Sequence, residues 1–233
     1  MNRAFGILLY FLIIFIGCAP TTKMIKFPPV GNDIYANNNL KQFLKDNKSP
    51  SIVLRVPNTQ DKATSQTITN KDNTLLYNSI EKELLKERFS VRDRGLFNEI
   101  INKAQTSDYS KIKDLTNTDL ILEVVSIDPA VIYSTNKITE LSKGKEREIV
   151  QHIDYKRHGA AAEFKLILVQ NNEIAGSYKY NYQPCPSGCD LTSFQLAGKR
   201  SHETSLKETV SVNLMEEFMQ SITKDLIRSF REN

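Results

Sequence analysis

Hydrophobic positions come in blocks whose spacing changes along the chain, and each change predicts an element. Residues 4–16 are apolar almost without a break, led by Arg3 and followed by Gly17-Cys18-Ala19 and Pro20. A spanning helix takes roughly 20 apolar residues, whereas a run of about 10–14 suits the core of an export signal. Residues 19–50 carry Pro28-Pro29, Gly31-Asn32 and three consecutive asparagines without a sustained period, so they read as a flexible leader. Leu40, Phe43 and Leu44 support one short helical turn within it. The β-branched run from Ser51 to Val56, stopped by Pro57, predicts a strand. Leu76, Ile80 and Leu84 recur every fourth position with charges between them, which predicts an amphipathic helix. Residues 89–92 alternate as a strand, and Leu96, Phe97, Ile100 and Ile101 restart a helical period. Residues 119–125 form a continuous apolar strand, expected to be covered on both faces and ended by Pro129. Residues 160–169 and 174–182, joined at Asn171-Asn172, read as a hairpin. Val210, Leu214, Phe218, Ile222 and Leu226 then predict a long closing helix.

Helices falling between strands imply an α/β fold: a single domain with a mixed β-sheet, packed helices and a long C-terminal helix. A chain of 233 residues, 40% apolar and 25% charged, has room for such a domain after a signal and leader are set aside. The net charge of +4 rests on 31 basic and 27 acidic residues spread along the chain, which argues against a nucleic-acid partner. No catalytic motif, phosphate-cradling glycine run or histidine cluster is present, so neither an enzyme, a cofactor nor a metal site is expected. His152, His158 and His202 are scattered and read as surface or boundary residues.

Phe15-Ile16-Gly17-Cys18 resembles the lipobox of bacterial lipoproteins, in which the cysteine is diacylated and becomes the mature amino terminus after cleavage. The resemblance implies a lipoprotein signal over residues 1–18 and a lipid, palmitate-type anchor on Cys18, with the leader over 19–50 and the domain over 51–233. In the oxidising compartment this implies, Cys185 and Cys189, set in Pro184-Cys185-Pro186-Ser187-Gly188-Cys189, read as a local disulfide. Half of a metal site or a redox dithiol fits less well, because the pair has no second pair and is not spaced Cys-x-x-Cys. Tyr178, Tyr180 and Tyr182 alternate along one strand and so share a face. That row either docks a partner or is covered by the closing helix. Residues 127–159 and 183–201 read as soluble loops or short hairpins. The first is basic, with Lys137, Lys143, Lys145, Arg147, Lys156 and Arg157, so it either faces anionic headgroups or cell-wall polymer or is simply solvated.

Residues 89–96, Phe-Ser-Val-Arg-Asp-Arg-Gly-Leu, are similar to a stretch of the superfamily of the curli secretion channel (CsgG). That superfamily also holds the lipoprotein activators of penicillin-binding proteins (LpoB) and a flagellar outer-membrane lipoprotein (FlgO). Asp93 and Arg94 occupy the family's Asp-Arg pair at a strand-to-helix junction, where a structural role is expected: Asp93 as a helix cap and Arg94 paired with a strand end. Thr118 to Leu122 matches the family's central strand, and Ala161 to Ser177 its hairpin. The resemblance implies a lipid-anchored envelope protein on the outer membrane facing the periplasm, acting without catalysis as adaptor or activator of an envelope protein partner. The alternative is a self-associating subunit of a CsgG-like export channel.

Overall fold

The computed structural model describes residues 22–56, 70–104, 108–191 and 209–231. They fall into two compact units: one within Pro28–Tyr133, Arg157–Pro184 and Leu206–Asn233, the other within Met1–Phe27, Ser134–Lys156 and Cys185–Ser205.

The larger unit is built on strands β2 (Asp33–Ala36), β3 (Ser51–Arg55), β4 (Ser90–Arg92) and β7 (Glu173–Tyr182), with the nearer parts of β5 (Leu120–Ser142) and β6 (Lys145–Leu168). Hydrogen bonding runs β4-β3-β5-β6-β7-β2. β3 is parallel to both neighbours, with Ile52 opposite Val91 and Leu120. β6, β7 and β2 are antiparallel, with Ala160 opposite Tyr182 and Ile34 opposite Tyr178. The mixture follows from the connections. Each parallel step holds a helix, α2 (Asn70–Lys86) and then α3 (Arg94–Ala104), whereas the antiparallel pairs β5-β6 and β6-β7 are joined by short turns and β2 reaches β7 from far earlier in the chain.

Alternation on the strands fills two layers of core. Ile52, Leu54, Leu120, Leu122 and Phe164 pack with Ile80 of α2 and with Met219 and Ile222 of α5 (Val212–Arg231). Val53, Ile121, Ile167 and Val169 point the other way and meet Phe97 of α3. Burying each such side chain contributes about 1.5–3 kcal/mol, more than any single cap in the unit. The expected class, a mixed α/β sheet with packed helices and a long closing helix, is the one observed. Between α3 and β5 a 3-10 turn (Tyr109–Ile112) runs into α4 (Lys113–Thr116).

Three expectations change. The leader assigned to residues 19–50 is folded over its described part: β1 (Thr22–Ile25) and β2 lie within it, α1 (Asn38–Asp46) forms where a short helical turn was expected, and Ile25, Phe27 and Leu40 are buried. Asn37 starts α1 by accepting the Leu40 amide at 2.9 Å. Pro129 does not end β5. The last β3 partner of β5 is Glu123, so one edge of β5 has no β3 ladder left to break there, and the Pro129 carbonyl accepts the Val210 amide instead. Finally, residues 127–159 are not a loop or short hairpin. β5 and β6 continue through them as strands of 23 and 24 residues. They join at Lys143-Gly144, where φ is +50° and +73°, the geometry of a tight two-residue hairpin turn.

The smaller unit holds the far parts of β5 and β6 with β1 and β8 (Cys189–Asp190), in the order β6-β5-β1-β8. Its buried residues include Ile25, Phe27, Ile138, Tyr155 and Cys189.

Candidate functional site

Asp93 takes the capping position expected of it, its carboxylate accepting the Leu96 amide at 2.7 Å at the start of α3. Such a cap contributes about 1 kcal/mol. Arg94 does not pair with a strand end. Its guanidinium reaches back to α2, donating to Asn78 Oδ1 at 3.1 Å, pairing with Glu81 at 3.5 Å and lying 5.5 Å over the Tyr77 ring. The pair therefore fastens α3 to α2.

The tyrosine row is core and not a docking surface. Tyr178 and Tyr180 are 0% and 1% exposed, and half-buried Tyr182 meets Phe218 of α5 edge-on at 5.7 Å. Gly176 leaves room for Tyr178, since a Cβ there would lie 2.6 Å from its ring. Burial pushes both phenols well above their usual range. Tyr180 adds repulsion at Tyr178 while Ser229 works the other way, and the Asp225 carboxylate adds to the shift at Tyr180. An acid whose folded pKa is raised stabilises the fold below its unfolded value, here near 10, and loses that contribution as pH climbs through the folded one. Stability is thus expected to hold to about pH 10 and then fall, with a shallower fall in Tyr178→Phe. Urea midpoints between pH 8 and 11.5 test this, and an unchanged slope in the variant would contradict it.

Polar clusters elsewhere in the larger unit are engaged in joining elements. Asp119 accepts the Ser51 amide and hydroxyl at 2.9 and 2.6 Å, clasping the starts of β3 and β5. Arg55 pairs with Glu123 across the same two strands and donates to Tyr109. Buried Glu83 meets Lys86 at 2.5 Å and Lys224 of α5 at 3.9 Å. Glu173 accepts from Asn37 and Asn39 at 2.5 and 3.1 Å, tying α1 to β7. His152 is exposed, His158 is half-buried, and His202 lies outside the described residues. Among the described residues no three His, Cys, Asp or Glu side chains are grouped to hold a metal.

Cys18 also lies outside the described residues, which begin at Thr22. β1 begins four residues later and is an inner strand, Thr22 opposite Leu141 of β5 on one side and Ile25 opposite Cys189 of β8 on the other. Cys185 and Cys189 are bonded, their Cα atoms 5.2 Å apart, and the disulfide closes the turn that delivers β8 to β1. Gly188, at φ +100°, packs beside Met24 of β1. Sequence reading found both cysteines but not the strand they serve. The small ring limits the entropy it removes from the unfolded chain, so Cys185→Ser/Cys189→Ser is expected to lose about 2 kcal/mol. Denaturant unfolding measures this, and a loss above about 4 kcal/mol would give the bond a larger role.

No protein-family model and no curated protein sequence matches the chain. Among solved structures, it is similar to that of lipoprotein GNA1162 from Neisseria meningitidis, at 9% identity and a TM-score of 0.37, over 77% of this chain and 99% of that one. It is similar also to two PelC dodecamer structures from Paraburkholderia phytofirmans, each at 6% identity and a TM-score of 0.32. These cover 91% and 87% of this chain and 99% and 93% of theirs. Scores this low do not establish a shared fold.

Proposed function

We propose that this chain is a lipid-anchored protein of the bacterial cell envelope, of the curli-channel and penicillin-binding-protein-activator kind. It acts without catalysis, as an adaptor or activator that contacts a protein partner from the outer membrane. The observation that carries the reading is the place of β1. The strand that starts four residues after Cys18 is the inner strand of a ladder, hydrogen-bonded on both edges, so a lipid on that cysteine would be joined by a short link to a folded unit. The Cys185–Cys189 bond supports an oxidising compartment. The polar clusters of the larger unit are engaged in joining strands and helices.

The export-channel alternative draws less support. A strand in contact with lipid presents an apolar band, whereas the exposed positions of the long hairpin include Glu146, Glu148, His152 and Asp154.

Crosslinking in intact cells tests the adaptor reading. A photoreactive side chain at an exposed position of the larger unit is expected to give a discrete protein adduct that is lost in Cys18→Ala. Release of product from purified cell wall by the purified chain, or large rings in detergent that admit ions across a bilayer, would contradict it.

A further inference from the structure

The tip of the long hairpin carries charge that no ion pair among the described residues uses. Lys143, Lys145 and Arg147 are exposed at and beside the turn. The carboxylates near them are matched by lysines further along the strands: Glu140 by Lys23 at 3.8 Å, Glu146 by Lys26 at 2.9 Å and Glu148 by Lys137 at 2.8 Å. Among the described residues the three tip cations have no ion-pair partner. With Glu140, Ser142 and Glu146 they line a recess of about 520 Å³.

Chain geometry says which anionic surface lies within reach. Thr22 is opposite Leu141, so β1 starts beside the tip. Cys18 precedes Thr22 by four residues, which span at most about 14 Å. A lipid on Cys18 therefore holds the headgroup layer within about 14 Å of the start of β1, less than two screening lengths of about 8 Å at physiological ionic strength. Lysine and arginine at that range attract anionic lipid, and the arginine fork suits a phosphate.

We propose that Lys143, Lys145 and Arg147 form a foot that docks on anionic phospholipid headgroups beside the lipid anchor, fixing how the smaller unit stands on the membrane. The proposal rests on the reading of Cys18 as acylated, and the test separates the two. The mature chain as purified from cell membranes, carrying a fluorophore on Ser142→Cys, is reconstituted in vesicles of phosphatidylcholine alone or with about 30% phosphatidylglycerol. Flotation with neutral vesicles reports the anchor. Quenching by a headgroup-labelled lipid reports the foot. Quenching is expected in the anionic vesicles, with loss at high salt. In K143Q/K145Q/R147Q the tip contact should weaken about a hundredfold, at about fivefold per basic residue, while flotation and melting temperature stay unchanged. Equal quenching in both vesicles, or no effect of the triple substitution, would overturn the foot while leaving the anchor standing. Failure to float with neutral vesicles alongside salt-sensitive quenching in anionic ones would remove the anchor and keep the foot. Retention on purified anionic cell-wall polymer without headgroup quenching would overturn it in favour of that polymer.

Discussion

Alanine at position 164 is expected to lower the folding stability by about 3–5 kcal/mol, which is a large part of the 5–15 kcal/mol that a domain commonly has. Phe164 is 1% exposed on β6 and meets Tyr180 edge-on, with ring centroids 6.5 Å apart. It belongs to the layer shared by β3, β5, β6, β7, α2 and α5. Its removal therefore leaves a void bounded by strands and helices whose backbones are held by ladders, and such a site collapses poorly. Urea unfolding of the two chains measures the difference. A cost below about 1 kcal/mol would mean that the layer is loosely packed.

Gly159→Ala has the second large expected effect, about 3 kcal/mol or more, and Gly159→Val should give no folded protein. A Cβ at this position would lie 2.3 Å from the Tyr182 carbonyl oxygen and 2.5 Å from the Tyr133 ring. The carbonyl belongs to β7, which is paired to β6 from Ala160 onward, so it has no cheap way to move. Gly31 is the control, because a Cβ there meets nothing within 4 Å. Gly31→Ala should change the melting temperature by little in either direction. Equal melting temperatures for the 159 and 31 variants would contradict the close approach at Gly159.

The difference between what the sequence disclosed and what it concealed lies in how many buried positions each element carries. α2 and α5 repeat an apolar residue every fourth position over several turns, and β3 and the start of β5 are apolar on both faces, so their patterns are long enough to read. β1 and β2 have four residues each, too few for a period, and their places are set by partners more than a hundred residues away. The far parts of β5 and β6 were hidden differently. Ile138 and Tyr155 are buried there, but charged residues dominate the stretch between them, and a turn of Lys143-Gly144 lacks the Asn-Gly or Asp-Gly signature.

The candidate site divides in the same way. Local chemistry was legible: the Asp93 cap lies within three residues of the amide it takes, and the disulfide spans four. Arg94 was misread because its partners lie on the preceding helix. The tyrosine row was left open between docking and cover by the closing helix, because a face shared along a strand does not say which, and α5 covers it. The basic stretch was visible as composition. Only the ladder shows which of its charges are spent within the chain and that β1 starts beside the rest.

Lipid on Cys18 is read out by growing cells with a clickable fatty acid and determining the intact mass of the purified chain. Label is expected on the wild-type chain, with a mature terminus at Cys18 bearing acyl groups, and no label on Cys18→Ala. A mature wild-type chain that keeps Met1 and takes up no label would contradict it.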